Sequence, residues 1–137
     1  MLMCPAKSRK IRNDAGGSGF FGARRSKLVG GEFVRYRHKG VDYEVVPGEE
    51  IYMPLTGKIV REARPYATGS YNGVLIEARR GSFKIFYFEP IKALIGEIVK
   101  IGSVIGYAQD ISQRYEKVTP HIHFEVVNLD PEVLMNN

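Results

Sequence analysis

Residues 121–126 read HIHFEV, and residues 38–42 read HKGVD. All three histidines of this 137-residue chain fall in these two stretches. The first has the texture of a β-strand, on which successive side chains point to opposite faces. His121 and His123 therefore share one face, and Ile122 points to the other.

Working outward from that strand, the chain keeps the same character. From Phe33 onward, short runs rich in Val, Ile, Tyr and Phe alternate with glycine-bearing turns, which predicts an all-β domain of antiparallel sheets. Candidate strands cover 33–36, 42–46, 51–53, 57–63, 73–79, 82–88, 104–108 and 121–127, and PGEE, YNG, RRGS and KIGS mark turns between them. In IKALIGEIV, residues 91–99, Pro90 and Gly96 favour a loop or a single helical turn. Residues 1 to about 30 are polar, basic and glycine-rich and read as loop. The expected organisation is a basic, flexible arm over 1–15, one β domain over 16–130 and a tail over 131–137.

The hydrophobic fraction of 44% and charged fraction of 26% are those of a globular protein. The net charge of +5 is uneven. Lys7, Arg9, Lys10, Arg12, Arg24, Arg25, Lys27, Arg35, Arg37 and Lys39 face only Asp14 and Glu32 across residues 7–39. Such an arm suits an anionic partner, or is simply solvated. No nucleic-acid motif accompanies it, and nucleic acid is not expected. The single cysteine, Cys4, excludes an intramolecular disulfide and is given no role. No apolar stretch near the start reads as a secretory signal, and none is long enough to span a membrane, so a leaderless, soluble chain is expected.

His121 and His123 form a claw of two imidazoles on one strand. His38 and Asp42 can converge across a turn, where Gly40 permits close backbone approach. Imidazole nitrogens with a carboxylate oxygen make a ligand set for zinc, with water in the open position. His-x-His alone is also common on half-buried strands; its pairing with HKGVD is what points to Zn2+.

With these residues in hand, the chain resembles the lysostaphin-type zinc metallopeptidases. These glycyl-glycine and peptidoglycan cross-link endopeptidases have the duplicated hybrid motif fold. The resemblance covers roughly residues 16–128. GFFGARR at 19–25 is similar to the family's Phe-Gly-x-Arg, matched by Phe21, Gly22 and Arg24. RHKGVDYEVVPGEEIYMPLTGKIV resembles the first metal motif, His-x-Gly-x-Asp, with its following turns and strand. EIVKIGSVIGYA resembles the glycine-bracketed strand that precedes the last motif, and TPHIHFEV matches the closing His-x-His-Phe-Glu. The resemblance implies that His38, Asp42 and His123 hold the metal and that His121 stays free, facing water or the substrate carbonyl.

In active members a further histidine stands in a Tyr-x-His-Leu pattern. Here the matching stretch is FYFEP, with Tyr87 at the tyrosine and Glu89 at the histidine. Relatives of the leukocyte cell-derived chemotaxin branch lack that histidine too, and KIFYFEPIK resembles their sequence. Three readings of Glu89 are open: a general base, a fourth metal ligand, or a solvent-facing residue at a strand end.

The expected catalytic residues are thus His121 and Glu89, and the expected function is a zinc endopeptidase acting on peptidoglycan peptide, with weakened activity. The alternative is a degenerate zinc-binding module that docks to cell-wall polymer. The expected partners are peptidoglycan peptide or another cell-wall polymer, with phage or secretion assembly proteins second, and localisation is left open between a virion and the cytoplasm before release. Arg24 can pair with a substrate carboxylate or be solvated, and Asn72 before Gly73 is expected to close a hairpin. Tyr36, Tyr52 and Tyr87 can line a groove or serve as packing, while Tyr107 and Tyr115 carry no separate signal. Glu125 is expected to face away from the metal unless the strand is regular, in which case it supports a ligand from behind.

Overall fold

The computed structural model describes residues 2–14, 17–18, 24–29, 32–37, 40–79 and 81–129, and for 17–18, 24–29, 32–37 and 129 the backbone alone. The chain forms β1 (Asn13–Asp14), β2 (Gly17–Ser18), β3 (Arg24–Val29), β4 (Glu32–Arg37), β5 (Gly40–Glu44), β6 (Glu50–Tyr52) and β7 (Gly57–Glu62). These are followed by β8 (Gly73–Ala78), β9 (Gly81–Phe86), β10 (Phe88–Pro90), β11 (Ile98–Val99), β12 (Val104–Ala108) and β13 (His121–Leu129). Each of the eight expected strands is present. The competing segment at 91–99 resolves into a 3₁₀ turn, Lys92–Leu94, and the short β11.

Six strands form an antiparallel sheet in the order β11-β7-β8-β9-β13-β5, and three form a second in the order β10-β12-β6. One apolar cluster draws on both. Ile59, Val74, Ile76, Ile85 and Ile122 come from the larger sheet, with Ile51, Phe88 and Ile105 from the smaller, all fully buried. Phe83 and Phe124 stack across β9 and β13 with ring centroids 5.7 Å apart. The period-two burial of Phe83 and Ile85 on β9 is what a strand with one buried face requires.

The loop reading of residues 1 to about 30 gives way at 24–29, where β3 pairs with β4 from Arg24↔Arg37 to Val29↔Glu32. Glycines on either side obscured a run whose six residues are otherwise compatible with extended structure. Over its described residues, the basic arm lies along the domain. Tyr52 N donates to Pro5 O at 3.0 Å, Glu44 N to Lys10 O at 2.7 Å and Arg12 N to Asp42 O at 2.8 Å. β5 and β6 are edge strands whose free amides need acceptors, and the arm supplies them. Cys4 packs on the core, where burial pushes its thiol up, and Ala6 is buried.

Asn72 closes the β7–β8 hairpin at the end of a long connection, residues 63–72, and not within a tight turn. It ends the connection between β7 and β8, buried, with its Oδ1 accepting from Gly73 N and its own N donating to Gln109 Oε1. No helix of the described residues is long and apolar enough to cross a membrane.

Candidate metal centre

Strand register brings the site together. His123 on β13 lies opposite Asp42 on β5 and opposite Phe86 on β9, so the three share one face of the sheet. Because β13 is regular from His121 to Glu125, alternation puts His121, His123 and Glu125 on that face and Ile122 and Phe124 toward the core. The register slips only later, between Val126 and Asn128. Gly40 lies opposite Glu125. A β-carbon there would stand 2.9 Å from the His123 imidazole and collide with Phe124 O, so the glycine of HKGVD makes room for that ring. Phe86 stacks on it from the other side, with centroids 5.9 Å apart.

The two histidines are held in different ways. His123 Nδ1 lies 2.8 Å from Asp42 Oδ1, and His123 Nε2 lies 3.1 Å from Glu125 Oε1. The expectation that Glu125 faces away is therefore overturned by the regular strand. Burial lowers the pKa of His123, but the hydrogen bonds to Asp42 and Glu125 outweigh it and raise the ring to about 9. His121 Nδ1 donates to Thr119 O at 2.8 Å, which leaves Nε2 as the nitrogen with a lone pair. That atom is 3.7 Å from Asp42 Oδ2. Burial lowers the pKa of His121 and keeps it neutral near pH 7.

Two residues of the arm complete the cluster. The buried Arg12 donates to Asp42 Oδ2 from Nη2 at 3.0 Å and from Nε at 3.2 Å, and from Nη1 to Asp14 Oδ1 at 2.8 Å. Asp14 Oδ2 in turn accepts from Thr119 N at 2.7 Å. Neither residue was singled out by sequence, because nothing local marks an arginine that reaches a carboxylate thirty positions on.

Tyr87, between β9 and β10, has φ 75°, a left-handed conformation that is costly for a residue with a side chain. Its backbone is pinned by Asn72 O and Gln109 N. Its ring meets His121 edge-on, with centroids 5.3 Å apart. Tyr66 joins Tyr87 and Tyr115 through hydroxyl contacts of 3.2 and 3.1 Å, and the Arg114 guanidinium lies 3.9 Å from the Tyr66 ring centroid. Tyr87 thus borders the site, and Tyr115, which carried no sequence signal, belongs to the same aromatic wall. Tyr52 instead bonds Glu50.

Glu89 is not brought into the cluster. Its carboxylate pairs with Lys92 at 3.1 Å, and Lys92 also bonds Glu62. Among the described residues, no group of three or more His, Cys, Asp or Glu side chains is arranged to hold an ion. His38, the expected third ligand, lies outside the described residues, as do the side chains of Arg24 and Tyr36.

Residues 36–134 match Peptidase family M23. The chain belongs to Peptidase family M23. Its relatives include bovine leukocyte cell-derived chemotaxin-2, 34% identical over 98% of this chain and 85% of that protein. The mouse protein of the same name is 33% identical over 90% of this chain and 78% of its own length. Among solved structures, a zinc-containing peptidase from Vibrio cholerae is 25% identical, with a TM-score of 0.61 over 93% of this chain. This M23 chain spans 37% of that peptidase. Lysostaphin from Staphylococcus simulans shares the fold with a TM-score of 0.61 over 98% of this chain and 54% of its own, at 21% identity. The all-β lysostaphin-type M23 fold and a peptidase-like domain follow from these matches.

Two side chains of the expected set, Asp42 and His123, are donors of the types that zinc takes. Asp42 Oδ1 and His123 Nδ1 face each other at 2.8 Å, so a cation can replace the proton between them. Glu125 behind Nε2 is the carboxylate–imidazole support usual for a ligating histidine.

Proposed function

We propose that the chain is a zinc-dependent endopeptidase domain that cleaves peptidoglycan cross-link peptides slowly. Asp42 and His123, together with His38, would hold Zn2+. Zinc bound there supplies Lewis acidity toward a scissile carbonyl and acidifies a coordinated water. The observation that carries the reading is the pairing of a carboxylate-backed His123 and Asp42 with a neutral His121 beside them. His121 Nε2 has its lone pair free to take a proton from water, because Nδ1–H is committed to Thr119 O. The ring of Tyr87 packs edge-on against the buried His121. The peptidoglycan assignment is supported by M23 membership and by the motif resemblance of GFFGARR, HKGVD and TPHIHFEV.

The family resemblance puts a second imidazole at the position of Glu89, where it would stabilise negative charge on the reacting oxygen, and losing one such stabiliser costs about a hundred- to a thousandfold in rate. Glu89 carries the wrong charge for that task and is engaged by Lys92. The same observation favours the second reading, a zinc-binding recognition module that docks to cell-wall polymer without cleaving it.

Digestion of purified peptidoglycan by the zinc-loaded protein separates the two. Slow peptide release by the wild type, none by His121→Ala and faster release by Glu89→His is expected. No release from the wild type, with release appearing in Glu89→His, would overturn the enzyme reading in favour of the module.

A further inference from the structure

We propose that Arg12 is a positioning residue of the metal centre, and that with Asp14 it sets both Asp42 and His121 from the N-terminal arm. This rests on the zinc reading for its functional meaning, but the geometry is independent of it. Arg12 is 4% exposed, and its guanidinium uses two edges of its fork. Nε and Nη2 both take Asp42 Oδ2, which leaves Oδ1 turned to His123 Nδ1. Nη1 takes Asp14 Oδ1, and the other Asp14 oxygen accepts from Thr119 N. Thr119 O then accepts from His121 Nδ1. Hydrogen bonds joined through the backbone of Thr119 therefore link the arm to the carboxylate that would bind the ion and to the nitrogen of His121 that carries the proton.

The arm's backbone is built to hold that chain in place. Glu44 N donates to Lys10 O, Arg12 N donates to Asp42 O, and Ile11 bridges Tyr43, so residues 10–12 extend the sheet beyond β5. Arg12 is thereby fixed on the backbone next to the residue it clamps. A lysine offers one point charge instead of a planar fork and cannot choose between the two oxygens in the same way. A plain structural ion pair would anchor the arm equally well but would leave the metal-facing oxygen and the histidine tautomer unaffected when lost.

The test uses the full chain and measures zinc affinity by chelator competition, with the absorption spectrum of the cobalt form as a report on ligand geometry. Arg12→Met, checked for a cooperative unfolding transition, is expected to bind zinc roughly 10–100-fold more weakly. Its cobalt bands should shift, and Arg12→Lys should fall between it and the wild type. Unchanged affinity and spectrum in folded Arg12→Met overturn the proposal, and so does tighter binding, which would make Arg12 a competitor of the ion.

Should Arg12→Met fail to fold, Asp14→Asn carries the test. His121 in the metal-free variant is then expected to lose its single Nδ1–H tautomer, read from the ring nitrogen shifts, and an unchanged pattern overturns the proposal. A wild type that binds no zinc overturns the zinc reading instead. The ring nitrogen shifts of His121 and His123 in the metal-free variants then decide the role of Arg12 alone, changed shifts supporting it and unchanged shifts overturning it.

Discussion

Glu125 Oε1 lies 3.1 Å from His123 Nε2, two positions apart on one regular strand. The contact fixes which imidazole nitrogen points to Asp42, since the other is occupied. Replacing Glu125 with alanine is expected to weaken zinc binding roughly 10–100-fold, and glutamine, which still accepts through its amide oxygen, to weaken it less. Isothermal titration with zinc checks the order. Equal affinities for all three proteins would rule out a supporting role for Glu125.

Gly40 is predicted to be irreplaceable at modest volume. The β-carbon of Gly40→Ala would sit 2.9 Å from the His123 ring and against the backbone of β13. Overpacking of that kind costs about 1–3 kcal/mol. Urea unfolding should show that loss, and zinc affinity should fall with it because His123 must shift.

In the metal-free protein the two site histidines are expected to titrate on opposite sides of 6.5, the ordinary value for the ring. His123, raised to about 9 by Asp42 and Glu125 against the effect of burial, contributes stability that is complete below 6.5 and is lost as pH rises through about 9. His121, lowered by burial, acts the other way; its contribution is present above 6.5 and disappears as pH falls through its folded value. Proton NMR of the two imidazole rings reads both directly. Two superimposable titration curves near 6.5 would contradict the described surroundings of both rings.

Ile122 separates fold from site. It is fully buried between the two histidines in sequence but faces the opposite side of β13. Ile122→Ala is expected to cost about 2–5 kcal/mol of stability, measured by denaturant unfolding. At temperatures where the variant stays folded, its zinc affinity should remain within a few-fold of the wild type.

How much of this was legible in the sequence depends on the range over which each cause acts. HIHFEV announced a strand and the shared face of His121 and His123, because a period of two is local. Expected β-strands at 57–63, 73–79 and 104–108 are found for the same reason. Arg12 and Asp14 were read only as part of a charged arm, since their partners Asp42 and Thr119 lie 30 and 105 residues away. The edge amides of β5 and β6, which draw the arm onto the domain, become visible only once strand order is known. Glu125 was expected on the wrong face through doubt about the regularity of β13, and three strands of ladder settle that regularity. Glu89 was marked by the histidine it replaces, while its partner Lys92 belongs to a 3₁₀ turn whose side-chain direction the sequence does not carry.

The most direct test of the central claim is the metal content and thermal stability of the purified protein, before and after chelation. One zinc per chain is predicted, with a fall in melting temperature on chelation that zinc restores, and with neither metal nor shift in Asp42→Ala. A wild type that retains no zinc and melts at the same temperature with and without chelator would contradict it.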